Sequence, residues 1–168
     1  SRGTFCMTPQ ETLDLVERQL ANMEKAKRLS VKVGLPAGES ATSKAYTNDG
    51  EGPAPTVLDV GIWHEYGTQR MPQRSFLRGP LKAKEAELEK TLETQFNLVL
   101  EQGMDVEKAL GRVGLAARNI SVGAFRLRGY GVWKDISQAT KDAKGSSGIL
   151  IDTGLLRSSI TWVVTDAS

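Results

Sequence analysis

The stretch TVLDVGIWHEYGTQRMPQRSFLR, residues 56–78, decides the predicted fold because it joins three kinds of local structure. An apolar run comes first, a turn around Gly67 follows, and a basic segment interrupted by Pro72 leads into a long helical pattern. We predict a helix over Thr56–Tyr66, since Gly67 stands where a C-terminal cap glycine belongs. A strand is the alternative, given the Val, Ile and Trp residues of the run. The side chains expected to face the core from this helix are Val57, Val60, Tyr66 and either Ile62 or Trp63.

Upstream of this stretch, the sequence predicts a helix, a short strand and a long loop. The helix spans Pro9–Arg28 and begins with a capping box, Thr8 with Glu11. An apolar stripe recurs along it at helical spacing: Leu13, Val16, Leu20 and Met23. Val31–Leu35 alternates as a half-buried strand. Residues 37–55 are rich in Gly, Ala, Ser, Thr and Pro, which predicts a flexible loop, and they contain no phosphate-binding glycine motif.

Downstream, two helical patterns predict an antiparallel hairpin. The first begins near Phe76, with Ser75 as a candidate N-cap, and stops at Gly103. Its apolar stripe consists of Leu81, Leu88, Leu92, Phe96 and Val99. The second begins at the candidate cap Asp105 and keeps an unbroken 4-3 apolar rhythm to Leu127. Within it, Gly111 and Gly114 would allow a neighbouring element to approach closely.

The C-terminal part predicts a short helix and a closing strand. Leu150–Ser159 has a helix pattern with Asp152 or Thr153 as its cap. Ile160–Val164 alternates, and its natural partner is Val31–Leu35. Trp133 and Ile136 are the expected anchors of the irregular stretch before it. The prediction is therefore an α+β fold, one domain over residues 1–168, whose small antiparallel sheet packs with the N-terminal helix and the hairpin.

Composition narrows the classes of function. The net charge is +2, so any site for a polyanion must be local. The single cysteine, Cys6, cannot form an internal disulfide bond, which suggests a reducing compartment. No apolar run approaches the roughly 20 residues that a membrane span needs. His64 is the one histidine, and no metal-ligand spacing surrounds it, so a hydrolase that uses His64 and Glu65 is the weakest hypothesis.

The basic segment is the candidate interaction site. Its cations occur between residues 66 and 84, where no carboxylate is present: Arg70, Arg74, Arg78, Lys82 and Lys84. Cations at a helix start oppose the helix dipole. This mismatch favours a partner, either an acidic protein surface or the phosphate backbone of a nucleic acid. A DNA-binding accessory protein that uses this segment is therefore the alternative function.

Three sequence elements occur in a fixed order: WHEYGT at 63–68, MPQRSFLR at 71–78 and LIDTGLLRSSI at 150–160. ALGRVGLAARN at 109–119 gives weaker support between them. This order resembles the neck and tail-completion proteins of long-tailed phages, a group of minor tail and virion-morphogenesis proteins. The resemblance spans most of the chain, and it depends on the combination of elements, because each of them alone is weak.

The resemblance implies a structural virion protein that is not an enzyme and that needs no cofactor or metal. Such a protein caps the tail as a ring, commonly of six copies, and joins it to the head connector; it is assembled in the host cytoplasm. Its partners would be other copies, the connector or adaptor, the tail terminator or tube protein, and passing DNA without sequence specificity, but no membrane. The basic segment and the 37–55 loop would be contact surfaces. The motif residues that carry over form a turn, a helix anchor and a closing turn: His64, Glu65, Tyr66, Gly67, Pro72, Arg74, Phe76, Arg78, Asp152, Thr153, Gly154 and Ser159.

Overall fold

The computed structural model describes residues 7–36, 55–69, 71–134 and 154–167. Apart from Pro55, the predicted loop at 37–55 lies outside these ranges, as do Arg70, Ile136, Asp152 and Thr153. Within them the chain forms six helices and two strands: α1 (Pro9–Arg28), β1 (Leu29–Gly34), α2 (Val57–Tyr66), α3 (Arg78–Ala83), α4 (Glu85–Gln102), α5 (Val106–Arg126), α6 (Gly154–Ser159) and β2 (Thr161–Asp166).

The predicted α+β class is confirmed, with a small antiparallel sheet beside an N-terminal helix and a helical hairpin. β1 pairs with β2 so that Val31 faces Val164 and Val33 faces Trp162. The strands begin and end one or two residues away from the predicted bounds, and Leu35 and Ile160 lie just outside the ladder. Among the described residues, no helix combines the length and apolar character that crossing a bilayer requires.

The helix ends that depend on contacts between neighbouring residues lie where the sequence predicts them. Thr8 and Glu11 form the predicted capping box of α1, and Asp105 accepts from the Lys108 N–H at the start of α5. Gly103, with φ 67°, ends α4 in the left-handed conformation. Thr56 and Asp59 form a second capping box on α2. The Thr56 hydroxyl donates to the Asp59 carboxylate, and this hydrogen bond lowers the pKa of Asp59.

The first helix of the hairpin differs from the prediction. The pattern from Phe76 onward was expected to form one helix, but it is interrupted at Lys84, which separates α3 from α4. At φ −110° and ψ 20°, Lys84 has left the helical conformation. The antiparallel hairpin itself is confirmed, and it is formed by α4 and α5.

Helix α5 is the centre of the molecule, since it contacts the hairpin partner α4, both strands and helices α3 and α6. Ten of its residues are buried. One buried cluster lies toward its N-terminus and contains Val99, Val106, Ala109 and Leu110. The other lies toward its C-terminus: Val57, Val60, Phe76, Ala124, Phe125, Trp133, Leu156 and Ile160.

Two glycines of α5 let the sheet approach closely, as the sequence predicts. A Cβ atom built on Gly114 would lie 2.9 Å from two ring atoms of Trp162 and 3.0 Å from a methyl group of Val31. A Cβ atom on Gly111 would lie 3.1 Å from the same ring. The Trp162 indole therefore occupies a recess that exists because these side chains are missing.

We expect Gly114→Ala to lower the free energy of unfolding, although alanine normally favours a helix by about 1 kcal/mol over glycine. The added methyl group overpacks the recess, which typically costs about 1–3 kcal/mol. Urea denaturation measures the change. The control is Gly34→Ala in β1, where an added Cβ meets no atom within 4 Å in the part of the chain that the structure describes. A Gly114→Ala variant at least as stable as the wild type would show that Trp162 does not need the recess.

Helix α1 has an unexpected exposure. None of its residues is buried, and the four side chains of its apolar stripe are each 45–57% exposed. Ala26 packs against the buried cluster near the N-terminus of α5, and polar contacts also attach the helix. Gln19 Nε2 donates to the Leu100 carbonyl oxygen at 3.1 Å, and Lys25 Nζ lies 2.9 Å from Asp105 and 3.1 Å from Glu107. These contacts place α1 beside the turn of the hairpin.

Candidate functional site

The side chain of Glu65 joins the two halves of the stretch that decides the fold. The residue is only 5% exposed, and its carboxylate accepts five hydrogen bonds. Three donors are successive backbone N–H groups, from Phe76 and Leu77 at 3.0 Å and Arg78 at 3.1 Å. The other two are the Ser75 hydroxyl at 2.8 Å and the Arg78 Nε at 3.0 Å. We call these residues, Glu65 and 75–78, the carboxylate knot.

The carboxylate knot provides the cap that α3 lacks locally. Leu77 occupies the N-cap position and offers no side-chain oxygen to the first N–H groups of the helix. Glu65 reaches them from the last turn of α2, and its negative charge lies at the positive end of the α3 dipole. Ser75, the predicted cap, contributes one bond by accepting from the Gly79 N–H at 2.7 Å. The capping group is therefore ten residues away from that serine in sequence.

The turn between α2 and the carboxylate knot is held mainly by backbone contacts. Gly67 caps α2 with φ 78° and ψ 171°, and a Cβ atom on it would lie 2.9 Å from the Gln73 backbone nitrogen. The Arg74 N–H donates to the His64 carbonyl oxygen at 2.8 Å, and Gln73 Nε2 donates to the Glu65 carbonyl oxygen at 2.9 Å. The turn thus folds the basic segment back along α2.

His64 and Phe76 connect this region to the core. The His64 side chain is buried. Phe76 is also buried, and its ring lies 5.5 Å from that of Phe125. Trp133, the predicted anchor, meets Phe125 edge to face and donates from Nε1 to the Ser75 carbonyl oxygen at 3.0 Å. The ring contacts favour a packing role for Phe76, and the burial of His64 favours the same role for its imidazole.

The predicted interaction cations have different surroundings. Arg74 is buried, and Arg78 forms an ion pair with Glu65 while its guanidinium lies 4.5 Å from the centre of the Tyr66 ring. Lys82 pairs with Glu85, and the hydrogen bond between them raises the pKa of Lys82. Lys84 lies 3.3 Å from Glu87 and 5.3 Å from the centre of the Tyr130 ring. Burial raises the pKa of Tyr130.

The structure thus supplies the negative charge that the basic segment lacks in sequence. Glu65 lies before it, Glu85 and Glu87 lie after it, and each pairs with one of its cations. The mismatch with the helix dipole, which suggested an external partner, is offset within the chain. Arg78 and Lys82 remain exposed at the surface despite these pairs.

An open groove of about 580 Å³ lies beside the carboxylate knot. Pro80, Val132 and Trp133 give it an apolar lining, and Arg78 and Lys82 contribute to its wall. Within the described part of the chain, no three His, Cys, Asp or Glu residues are grouped so that they could hold a metal ion. Both oxygens of the buried Glu65 accept from donors of the chain itself. The arrangement is suited to fixing a conformation, since its carboxylate is fully engaged.

The remaining motif residues lie near the C-terminus. Gly154 begins α6, and the Ser159 hydroxyl donates to the Leu155 carbonyl oxygen at 2.8 Å. Arg118, from the 109–119 stretch, donates from Nε to the Ile160 carbonyl oxygen at 2.9 Å. Contacts within the chain therefore join the 63–68 element to 71–78, and the 109–119 stretch to 150–160.

Two features were missed or misjudged from the sequence. The cap glycine Gly67 correctly indicated a helix before it, and Val57 and Val60 do face inward, but Ile62, Trp63 and Tyr66 are exposed. One feature of the sequence indicates that Glu65 could cap α3. The first turn of that helix contains no acidic residue of its own. That signal was assigned to an external partner.

Comparison of the chain with protein-family models, with curated proteins and with solved structures gave no match.

Proposed function

We propose that this chain is a structural subunit of a phage neck, a tail-completion ring protein that caps the tail and mediates its attachment to the head connector. The observation that carries the proposal is the order of the three motif elements, together with the carboxylate knot that unites the first two. In this proposal the motif residues maintain the shape of the subunit, and exposed surfaces elsewhere contact the neighbouring virion proteins.

The geometry supports this assignment in a second way. Of the two residues that suggested acid–base chemistry, His64 is buried and Glu65 is engaged by five hydrogen bonds. Meanwhile α1 and α2 present apolar side chains to the surface, as subunits that assemble with other proteins do. A protein that acts by contact needs such surfaces.

The alternative, a DNA-binding accessory protein, has weaker support. Arg74 is buried, and Arg78, Lys82 and Lys84 each have a carboxylate of the same chain within 4 Å. Phosphate contacts would compete with these pairs. We expect weak binding to duplex DNA at low salt, measured by fluorescence anisotropy, with a shallow dependence on salt concentration. Tight binding with a steep salt dependence would favour the alternative.

Deletion of the coding sequence from the virus that carries it tests the proposal. We expect filled heads and separate tails in electron micrographs, because the joint between them is missing. Purified protein added to an extract of these particles should restore joined, infectious virions. Glu65→Ala should restore few of them because its fold is impaired, whereas Glu93→Gln, an exposed change on α4, should act like the wild type.

Joined and infectious particles in the absence of the chain would contradict the proposal. So would joined particles from which the protein is absent when purified virions are analysed by mass spectrometry.

A further inference from the structure

The outer edge of β2 carries backbone groups that no described residue pairs. The Ala167 N–H donates to the Arg28 carbonyl oxygen at 2.6 Å, and these two residues continue the register of the ladder. Opposite residues of an antiparallel ladder alternate between hydrogen-bonded and non-hydrogen-bonded pairs. Counting from Ala167, Trp162 and Val164 fall in non-hydrogen-bonded pairs, so their N–H and C=O groups point away from β1. Within the described ranges, nothing bonds to these groups.

The composition of β2 favours pairing at this edge, whereas β1 is protected against it. Residues 160–165, ITWVVT, contain no charge, glycine or proline, and β-branched and aromatic residues favour strands. Val163, on the face away from α5, is 52% exposed. β1 has Lys32 on its exposed face, and a charged side chain is a common device that keeps an edge strand from pairing. An uncharged edge such as that of β2 is the kind to which another extended strand adds.

The flank of α5 beneath the same edge is also exposed. The ring of Trp162 borders both glycines of the recess, whereas β1 borders Gly114, so the Gly111 side of α5 lies under β2. Leu115 follows Gly111 by four residues and therefore lies on that side. It is 47% exposed. Lys108 is on this flank too, and its long side chain can extend into solvent. An apolar side chain is thus exposed beneath the open edge as well as above it.

A second copy of β2, in antiparallel orientation, complements this edge. Around a twofold axis through Val163, the outward groups of Trp162 meet those of Val164 in the other copy, and the reverse. Each of these two pairs exchanges both of its N–H···O bonds. Val163 then faces its own counterpart, and Thr161 faces Thr165 of the other copy. Cross-strand pairs of an aromatic with a β-branched residue, and of two threonines, are favourable.

Charge and space permit this pairing. The two copies of Lys32 would be three strand spacings apart, about 14 Å. That distance exceeds the Debye length of about 8 Å at physiological salt, so their repulsion is screened. Arg112 is held toward α4 by its hydrogen bond to Gln95. Because α5 lies beneath both strands, α5 and its counterpart would be two strand spacings apart, about 10 Å. Helices pack at this distance.

We infer that two copies of the free chain associate through the outer edges of β2, so that their sheets join into one four-stranded antiparallel sheet. A two-stranded sheet is marginal by itself, and additional strands make it more stable. The contact is isologous and closes on itself, so it does not repeat around a ring. The inference therefore goes beyond the proposed function and does not rest on it.

Charge substitutions at the axis test the contact. Val163→Glu brings like charges face to face across the axis, while within its own sheet the new carboxylate lies opposite Lys32, so the chain should remain folded. In sedimentation velocity of the purified full chain, the wild type should be dimeric. Val163→Glu and Val163→Lys should each raise the dissociation constant of the dimer by at least about tenfold.

An equal mixture of the two charged variants should form dimers again, because a carboxylate then faces an ammonium group across the axis. The matched control is Val132→Glu, the same change at an exposed position outside the sheet, which should dimerise like the wild type. Circular dichroism checks that every variant is folded.

A disulfide bond locates the register. In a Cys6→Ser background, Val163→Cys should form a disulfide-linked dimer, because a non-hydrogen-bonded pair brings the Cα atoms to about 4.5 Å, within the range that a disulfide spans. Thr161→Cys should form far less. Its counterpart lies four residues along the neighbouring strand, more than about 13 Å away.

Amide hydrogen exchange followed by NMR identifies the edge itself. The amides of Trp162 and Val164 should exchange slowly in the wild-type dimer and at least about tenfold faster in Val163→Glu, where the edge is open to water. The amides of Val163 and Thr165 face β1. They should remain protected in both proteins, which shows that the sheet is intact.

A wild type that stays monomeric up to its solubility limit and gives no Val163→Cys disulfide would overturn the contact. A monomer whose Trp162 and Val164 amides are protected would do the same, since another part of the chain would then cover the edge. Dimers of Val163→Glu as tight as those of the wild type would show that the copies meet elsewhere. The neck assignment has its own test, the deletion of the coding sequence, and stands or falls separately.

Discussion

Replacement of Glu65 by alanine is expected to lower the free energy of unfolding by about 3–5 kcal/mol, the range for removal of one partner from a buried charged network. The change leaves the N–H groups of Phe76, Leu77 and Arg78 without their acceptor. Each buried donor left unsatisfied costs about 1–3 kcal/mol. Urea denaturation followed by far-ultraviolet circular dichroism measures the loss.

Glu65→Gln separates charge from shape in the same experiment. The amide retains one acceptor oxygen but presents an NH₂ group to backbone donors, so we expect a loss between those of the alanine variant and the wild type. Glu93→Gln removes the same charge from an exposed position and should leave the unfolding transition unchanged. If Glu65→Ala unfolded at the same urea concentration as Glu93→Gln, the carboxylate would not be the cap of α3.

Gly67→Ala is expected to destabilise the chain by about 1–3 kcal/mol through backbone strain alone, because φ 78° with ψ 171° is accessible to little besides glycine. The added Cβ atom would also lie 2.9 Å from the Gln73 backbone nitrogen, and backbone cannot move aside as a flexible side chain can. The turn would open and carry the 75–78 donors away from Glu65. Thermal unfolding by calorimetry gives the change in stability.

The matched control for this turn is Gly154→Ala. An added Cβ at Gly154 meets no atom of the described residues within 4 Å, and the residue begins a helix, where alanine is favourable. We expect a stability equal to or above that of the wild type. If Gly67→Ala unfolded at the same temperature as Gly154→Ala, the turn would tolerate a side chain at position 67.

Sequence reasoning succeeded wherever a structure depends on neighbours in the chain. The Thr8–Glu11 capping box, the Asp105 cap and the Gly103 stop each involve contacts within a few residues, so their signals are local. The pairing of the two strands was predicted as well, because the chain offers few alternating segments.

Contacts between distant residues account for the differences. The burial of Arg74 depends on how the basic segment folds back on α2, and no local pattern in the sequence records that contact. The interruption of the helix at Lys84 has no signal in the apolar periodicity. A periodic stripe shows that one side of a helix is apolar but leaves open what covers it. The stripe of α1 was therefore predicted correctly as a stripe, while its exposure became known only from the structure.

The placement of the strands has a consequence for how the chain is made. β1 directly follows the first helix, whereas its partner β2 lies near the C-terminal end of the sequence. During synthesis, β1 therefore remains an unpaired edge, and the glycine recess of α5 stays empty, until Trp162 has emerged from the ribosome. Closing a contact over so much sequence is slow compared with forming a helical hairpin. A nascent chain therefore completes its sheet and fills the recess only after β2 has been synthesised.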